Sequence, residues 1–339
     1  MRAYQILPGE NIDGLRCVNF PERELAIGEV RVRVHAVSLN YRDLMVASGN
    51  YLVNVDDPII PCSDGAGEVL AVGHGVTRLQ VGDRVAGSFF PHWQDGRTSP
   101  NKIRHALGGD IDGMLAEEVV LHEDALVKIP PQLSYVEAST MPCAGVTAWN
   151  AIFESSNGVK PGDTLLLLGT GGVSVLGLQL AQAAGLRTII TSSSDDKLER
   201  ARELGAHHTI NYRSIPEWQE EVLRVTHGAG ADVVLEVGGQ GTVNRSVASC
   251  AMGGSVAIIG GVSGFGGEVN PASLLAGAKR MVGIFVGSRL MLEQVMRFAA
   301  TTGIKPVVDR VFGFDEAKEA YRYMESGSHF GKVVIAVTA

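Results

Sequence analysis

The sequence predicts an α/β protein of two domains, in which a β domain is interrupted by a parallel doubly wound sheet. The first part of the chain carries short strands between glycine-rich turns, which is typical of a mostly antiparallel, barrel-like β domain. The middle alternates strand-like and helical runs, and this alternation favours a parallel sheet covered by helices. A length of 339 residues also exceeds what one hydrophobic core usually holds. The predicted domains are 1–144 with 286–339, and 145–285.

The β domain rests on residues Glu29–Ser38, whose sequence EVRVRVHAVS alternates apolar and polar side chains. Further strands are predicted at Gly67–Val72 and Glu118–Leu121. The stretch from Phe89 to Asp112 is polar and irregular, so we expect a long loop, and long loops in compact proteins are usually functional.

In the middle, strand Thr164–Leu168 precedes helix Val173–Ala184, and the pattern continues to strand Ser255–Ile259. The helix predicted over Asp195–Leu204 has clear start and stop signals, because Ser194 is a candidate N-cap and Gly205 follows its end.

Composition excludes several classes of function. The net charge is −8 and no Lys/Arg run is present, so nucleic acid is an unexpected partner and a small molecule is favoured. No apolar run approaches the ~20 residues of a membrane span, and the start lacks a secretion signal, which predicts a cytoplasmic protein without a membrane partner. The four cysteines have no paired spacing, as expected of reduced thiols.

A glycine-rich turn joins the first predicted strand and helix of the parallel sheet. Gly169 and Gly171 permit a tight turn and a close approach of the backbone, and a diphosphate would meet free N–H groups at the helix start beyond Gly172. Ser174 stands where the third glycine of the Rossmann fingerprint is expected, and a small residue there still permits close helix–strand packing. The turn therefore predicts a dinucleotide site.

The end of the second strand distinguishes NAD from NADP. NAD-specific sites place an acid about 20 residues after the fingerprint, whereas this chain has the neutral residues Ser192 and Ser193. Lys197 in the following helix offers a positive charge to a 2′-phosphate, so NADP(H) is the predicted cofactor. If the strand ended later, Asp195 or Asp196 could serve as the NAD-type acid.

The chain resembles the medium-chain dehydrogenase/reductase family, and within it the zinc-free branch that includes quinone oxidoreductases. The resemblance spans essentially the whole chain and is carried by these segments: SLNYRDLMVASGNY at 38–51, PCSDGAGEV at 61–69, VGDRV at 81–85, DGMLAEEVVL at 112–121, MPCAGVTAWNAI at 141–152, GTGGVS at 169–174, LGAHHTINYR at 204–213 and FGKVVI at 330–335. It implies a GroES-like β-barrel domain beside a Rossmann domain, an active site in the cleft between them, and a homodimer or homotetramer.

The resemblance also assigns cofactor contacts. Ser193 falls at the position of the NAD-selecting acid, while Lys197 and Tyr212 match positions that hold the NADP phosphate in quinone oxidoreductase relatives. Further cofactor contacts are expected from residues distributed over both predicted domains, namely Thr147, Val173, Gly260, Phe285 and Lys332.

A zinc site is not expected. Zinc-dependent relatives carry a cysteine where this chain has Asn40 and a His-Glu pair where it has Ser63–Asp64. Only Cys143 matches a zinc-ligand position, and one thiolate cannot build a catalytic zinc site, so Cys143 is interpreted as a packed cysteine. The stretch 89–112 contains no cysteines, so a four-thiolate structural zinc is excluded as well. His92 and His105 are interpreted as solvated loop residues.

Without a Lewis acid, an electron-poor acceptor such as a quinone or an α,β-unsaturated carbonyl compound suits a reductase best. The hypothesis for catalysis places the nicotinamide against Thr147, with Asn40 and Tyr51 as hydrogen-bond donors to the developing oxyanion. Asn40 with Asp43 is equally well explained as a turn-stabilising pair, and Tyr51 as a packing residue.

Two other functions stay open at this stage. One is an alcohol or aldehyde dehydrogenase of the same family, and the other is a protein that binds NADPH without catalysis. Loops around 50–60, 89–108 and 262–280 are expected to shape the substrate pocket.

Overall fold

A computed structural model of the protein describes residues 1–51 and 57–338. Residues 52–56, part of a loop expected to shape the pocket, lie outside the described residues. The strands are β1 (Arg2–Gln5), β2 (Arg16–Asn19), β3 (Glu29–Ser38), β4 (Asp64–Val72), β5 (Arg84–Gly87), β6 (Glu118–His122), β7 (Leu126–Lys128), β8 (Thr164–Leu167), β9 (Arg187–Ser192), β10 (His208–Asn211), β11 (Ala231–Glu236), β12 (Cys250–Ile258), β13 (Arg280–Gly283), β14 (Val308–Gly313) and β15 (Lys332–Ala336).

The α-helices are α1 (Tyr41–Ala47), α2 (Pro100–Ile103), α3 (Tyr135–Ala138), α4 (Val146–Trp149), α5 (Gly172–Ala183), α6 (Asp195–Glu203), α7 (Trp218–Val225), α8 (Val243–Ser249), α9 (Pro271–Leu275), α10 (Arg289–Thr302) and α11 (Ala317–Glu325). Wider, π-type turns at Met141–Gly145 and Asn150–Glu154 flank α4. Short 3-10 turns occur at Ile12–Gly14, Glu123–Ala125 and Phe314–Glu316. No helix in the described ranges is long and apolar enough to cross a membrane.

The chain divides into two compact units. The first unit contains Met1–Val146 and Gly287–Ala339, and the second contains Thr147–Val286. Each unit has its own large sheet.

The sheet of the first unit runs in the order β14-β15-β3-β4-β5-β7, and β6 also pairs with β3. Its neighbouring strands are antiparallel except β14 and β15, which are parallel. The alternation in Glu29–Ser38 is realised as the long strand β3, in which Val30, Val32 and Val34 are fully buried. The sheet and its core match the GroES-like barrel expected of this part of the chain.

The stretch 89–112 differs from the expected polar loop. It contains the short helix α2, and Phe89, Phe90 and Leu107 are buried within it. Apolar residues spaced irregularly gave no periodic signal, because their burial depends on contacts with distant parts of the chain. Outside α2 the stretch is irregular, as expected.

The second unit holds the predicted parallel doubly wound sheet. Its strand order is β10-β9-β8-β11-β12-β13, and every neighbouring pair is parallel. This is the Rossmann order, in which the first two strands along the chain, β8 and β9, are neighbours and the order reverses between β8 and β11. Ligands of such sheets bind at the carboxyl ends of the strands beside this reversal. The predicted glycine turn follows β8 at that edge.

Candidate dinucleotide site and polar cluster

The turn between β8 and α5 has the geometry of a phosphate cradle. Gly169 lies in the left-handed region with φ of 72°, which a residue with a side chain rarely adopts. A Cβ placed on Gly169 or Gly171 would meet no atom within 4 Å, so the space in front of this turn is open. The first main-chain bond of α5 runs from Val175 N to Gly171 O at 3.0 Å. The N–H groups before Val175 therefore have no carbonyl of their own helix and suit an anion.

Close packing of α5 on the sheet is achieved at a residue that the sequence reasoning did not single out. A Cβ on Gly177 would lie 3.0 Å from Leu167 Cδ2 and 3.1 Å from Leu235 Cδ2, so only glycine fits without displacement. Ser174, expected in the role of the third glycine, is buried and its Oγ donates to Leu168 O at 2.7 Å. The glycine spacing one turn further along the helix is the signal that could have identified Gly177.

The neutral serines lie at the carboxyl end of β9. Ser192 is the last residue of that strand and pairs with Asn211 of β10, and Tyr212 N donates to Ser192 O at 3.0 Å. Tyr212 is 41% exposed, which leaves its ring available to a ligand at this edge. The strand order thus brings Ser192, Ser193 and Tyr212 together.

The two acids considered as alternatives lie in the next element. Asp195 and Asp196 are exposed in the first turn of α6, and Asp195 Oδ1 accepts a bond from Asn211 Nδ2 at 2.7 Å. Ser194 caps the helix by accepting from Lys197 N at 3.4 Å. Because β9 ends at Ser192, the residue that directly follows the strand is a serine rather than an acid.

A buried carboxylate, Glu236, organises the loop after β11, and sequence reasoning missed it. Its Oε1 accepts bonds from Gly238 N at 2.7 Å, Gly239 N at 2.9 Å and Thr242 Oγ1 at 2.6 Å. The main-chain oxygen of Glu236 also accepts a bond from Gly260 N at 3.3 Å, so the expected cofactor residue Gly260 lies beside this loop. An acid at a strand end, two residues before the pair Gly238–Gly239, was the available signal.

The remaining residues expected to contact the cofactor are distributed over several elements of both units. Val173 lies in the first turn of α5, Thr147 is buried in α4, and Phe285 is 44% exposed after β13. Lys332 belongs to the first unit, where only 3% of it is exposed. Its Nζ donates to Leu39 O and to Asn40 Oδ1, both at 2.6 Å. All three groups therefore form part of one interior arrangement.

That arrangement is a buried polar cluster, which we define as Asn40, Arg42, Asp43, Asp64 and Lys332. The start of α1 supplies three of its members, because Asn40 is the N-cap and its main-chain N–H donates to Asp43 Oδ2 at 2.8 Å. The capping contact expected for Asn40 and Asp43 is thus present. It involves the backbone of Asn40, so the side-chain amide is engaged separately, through Lys332.

Asp64 sits at the start of β4, with both carboxyl oxygens engaged. Oδ1 accepts from Ser63 Oγ at 2.7 Å and Oδ2 accepts from Cys143 N at 3.1 Å. Burial raises the pKa of Asp64, and the nearby Lys332 ammonium opposes that rise. Burial also raises the pKa of the Cys143 thiol, with the Asp64 carboxyl adding to the effect.

These residues do not fit zinc. The Asn40 oxygen is bonded to an ammonium, both Asp64 oxygens accept hydrogen bonds, and the raised pKa of Cys143 disfavours the thiolate that zinc requires. Within residues 1–51 and 57–338, no three His, Cys, Asp or Glu side chains are grouped so that they could hold a metal ion. His92 and His105 contact each other edge to face in the stretch 89–112, with ring centroids 5.5 Å apart.

The Tyr51 ring packs against the guanidinium of Arg42. The Arg42 guanidinium carbon is 4.7 Å from the centroid of the Tyr51 ring, a cation–π contact. Burial raises the pKa of the Tyr51 hydroxyl, and the positive charge of Arg42 counteracts this. The hydroxyl therefore stays protonated at neutral pH and can act as a hydrogen-bond donor.

Comparison with known proteins places the chain among dehydrogenases. Residues 26–131 match the family described as alcohol dehydrogenase GroES-like domain, and residues 172–301 match the family described as zinc-binding dehydrogenase. The chain is 44% identical over 320 residues to a zinc-type alcohol dehydrogenase-like protein of Schizosaccharomyces pombe, covering 93% of this chain and 92% of that protein.

Two solved structures are similar over their whole length. One is an NAD-dependent alcohol dehydrogenase, with 35% identity, a TM-score of 0.90 and complete coverage of both chains. The other is a quinone oxidoreductase of Pseudomonas syringae pv. tomato DC3000, with 28% identity, a TM-score of 0.83 and 99% coverage of each chain. The similarity thus extends to proteins named for alcohols and to one named for quinones.

Proposed function

This chain belongs to the medium-chain dehydrogenase/reductase family, and from that premise we propose that it is an NADPH-dependent, zinc-independent reductase of quinones or α,β-unsaturated carbonyl compounds. Membership of the family makes it an oxidoreductase acting on a small molecule. The cofactor choice, the absence of zinc and the class of acceptor are the proposed parts.

The observation that carries the proposal is the neutral end of β9 beside the open glycine turn. A dinucleotide whose diphosphate lies at Gly169–Gly172 directs its adenosine ribose toward the end of the second strand. There the neutral residues Ser192 and Ser193 end and follow the strand, with Tyr212 beside them and Lys197 in the first turn of α6. A 2′-phosphate meets no carboxylate directly after the strand. This favours NADPH over NADH.

The reduced nicotinamide supplies a hydride when the cofactor is bound. The protein side of the reaction falls to side chains that bind the acceptor and stabilise the charge on its oxygen. Tyr51, whose hydroxyl stays protonated, is proposed as a donor to that oxygen, together with the amide of Asn40. Lys332 holds the Asn40 side chain by its oxygen, which orients the amide nitrogen as the available donor. Thr147 is proposed to contact the nicotinamide.

The choice of acceptor rests on the proposed absence of a Lewis acid. Zinc polarises a simple carbonyl group, and the residues at the corresponding positions of this chain are unsuited to zinc. An acceptor that is already electron-poor needs less polarisation, so quinones and enones are favoured over simple aldehydes and ketones.

The test is NADPH oxidation by the purified, metal-analysed protein. Absorbance at the reduced cofactor's band is followed with a panel of quinones and enones, and NADP⁺ or NAD⁺ reduction is followed with a panel of alcohols. We expect turnover of electron-poor acceptors with NADPH and no dependence on chelators. Zinc in stoichiometric amount, with alcohol oxidation as the faster reaction, would overturn the proposal.

An alcohol dehydrogenase is the second candidate, because the named relatives include zinc-type and NAD-dependent alcohol dehydrogenases. The metal analysis separates the two candidates. Tight NADPH binding without turnover of any panel compound would instead favour a non-catalytic binder.

A dimeric or tetrameric assembly and a cytoplasmic location complete the proposal. Light scattering of the purified protein and fractionation of the source cells test these two parts.

A further inference from the structure

Arg42 is a buried arginine with an unused edge. It is 7% exposed, and its guanidinium lies between two aromatic rings, 4.7 Å from the centroid of Tyr51 and 4.6 Å from that of Phe89. Nη1 donates to Leu107 O at 2.7 Å. The rings and this bond fix the plane and the direction of the guanidinium.

The other two nitrogens of the group are different. Nε and Nη2 are buried, and neither meets the distance and angle of a hydrogen bond with a described residue, although the Tyr51 hydroxyl lies near the guanidinium. The nearest carboxylate oxygen, Asp43 Oδ1, lies 3.9 Å from Nη1, which is the nitrogen already bonded. Leaving charged donors buried without acceptors is costly, so an acceptor beyond the described residues is expected.

Chemistry identifies the acceptor. Nε and Nη2 form the side-on edge of a guanidinium, whose two parallel N–H groups match both oxygens of one carboxylate. A neutral carbonyl group offers one oxygen and uses half of this edge. The preorganised fork therefore suits a carboxylate better than it suits a ketone or an ester.

The charge around the edge also favours an anion. Lys332 is a second buried cation in the polar cluster, while burial raises the pKa of both Asp43 and Asp64 and so weakens their ionisation. The cluster thus holds two basic side chains against two carboxyl groups whose ionisation is disfavoured by burial. An added carboxylate would improve this balance.

A second buried arginine of the same unit provides the contrast. Arg31 is 8% exposed, and it donates to Arg23 O and lies 3.3 Å from Glu22 and 3.4 Å from Glu118. Burial of an arginine in this unit therefore does not by itself leave its nitrogens unpaired. Of these two buried arginines, only Arg42 has guanidinium nitrogens without an acceptor among the described residues.

We propose that Arg42 is a specificity-determining residue that binds a carboxylate of the substrate, so that the acceptor is an unsaturated carbonyl compound that also carries a carboxylate group. The inference rests on the proposed function for the identity of the reaction. The binding of the carboxylate is independent of turnover and can be measured without it.

The test uses matched acid and ester probes. Calorimetric titration of the NADP⁺-loaded protein compares 4-oxopentanoate with its methyl ester, and the same titrations are made with Arg42→Met, Arg42→Lys and the control Arg31→Met. For the wild type we expect the acid to bind at least about tenfold more tightly than the ester, because the ester cannot accept both N–H bonds as an anion. Arg42→Met should bring this ratio close to one, and Arg42→Lys, which keeps the charge and loses the fork, should give an intermediate ratio.

The control variant decides whether the effect is specific. Arg31→Met should keep the wild-type ratio even if it lowers the unfolding temperature. Equal binding of acid and ester by the wild type, or a ratio that survives in Arg42→Met, would overturn the inference.

Turnover is examined separately with 4-oxopent-2-enoate and its methyl ester. A binding preference without NADPH oxidation would leave the carboxylate site standing and refute the proposed reaction. NADPH oxidation with both compounds, without a preference for binding the acid, would support the proposed reaction and refute the carboxylate site.

Discussion

Replacing Gly171 by alanine should separate folding from cofactor binding. The residue has φ of −80° and ψ of −176°, which alanine adopts without strain, and the added Cβ would meet no atom within 4 Å. Alanine is a poorer N-cap than glycine by roughly 0.5–1 kcal/mol. It also reduces the entropy of the unfolded chain, which returns about 0.4–1 kcal/mol. The free energy of unfolding should therefore stay within about 0.5 kcal/mol of the wild type.

The cofactor should respond much more strongly. The open space at Gly171 is where the diphosphate would approach the start of α5, and a methyl group there would break at least one charged hydrogen bond. Such a bond contributes about 1.5–3 kcal/mol, which corresponds to a roughly 10- to 150-fold weaker affinity for NADPH. Fluorescence titration with NADPH and urea unfolding of the cofactor-free protein measure the two quantities.

Gly177→Ala is the matched control on the same helix. Its Cβ would lie 3.0 Å from Leu167 Cδ2 and 3.1 Å from Leu235 Cδ2, so overpacking of about 1–3 kcal/mol at least offsets the helix-propensity gain of roughly 1 kcal/mol. This variant should lose stability and keep most of its NADPH affinity. If Gly171→Ala bound NADPH as tightly as the wild type, the placement of the diphosphate at this turn would be refuted.

Three further predictions concern single side chains. Ser193→Asp should shift the ratio of NADPH to NADH affinity toward NADH by at least about tenfold, because a carboxylate repels the 2′-phosphate and accepts ribose hydroxyls, and an unchanged ratio in paired titrations would contradict this. Lys332→Met should lower the free energy of unfolding by about 2–4 kcal/mol, since Leu39 O and Asn40 Oδ1 lose their donor in the interior, and urea unfolding with an unchanged midpoint would argue against that role. Burial raises the pKa of Asp43 to about 6, above its unfolded value near 3.9, so the folded state binds this proton more tightly than the unfolded state does. The free energy of unfolding of the wild type should therefore fall by roughly 3 kcal/mol as pH rises from about 4 to about 6. Asp43→Asn should lack that fall, and parallel profiles of unfolding free energy against pH for the two proteins would refute the prediction.

The fold of the second unit was accessible from the sequence because its signals are local. Each parallel strand is an apolar run, each helix follows within a few residues, and Gly169 lies between them. Ser194 and Gly205 marked the ends of α6 correctly to within one residue. Strand order then followed from the general topology of such sheets.

The buried polar cluster was less accessible, because sequence distance hides it. Lys332 lies 292 positions from Asn40, and an ammonium 3% exposed cannot be distinguished by pattern from a surface lysine. Resemblance to the family suggested a cofactor contact for Lys332, and no pattern in the sequence indicated that its Nζ bonds to Leu39 and Asn40. Arg42 lies within the segment 38–51 and carries no sequence signal of its own, since the missing acceptors of its guanidinium are a property of three-dimensional packing.

The most direct measurement is a paired titration of the purified wild-type protein with NADPH and NADH, followed by the change in cofactor fluorescence. The neutral end of β9 predicts saturable binding of NADPH, at least about tenfold tighter than binding of NADH. Tighter binding of NADH, or no binding of either cofactor, would contradict the account.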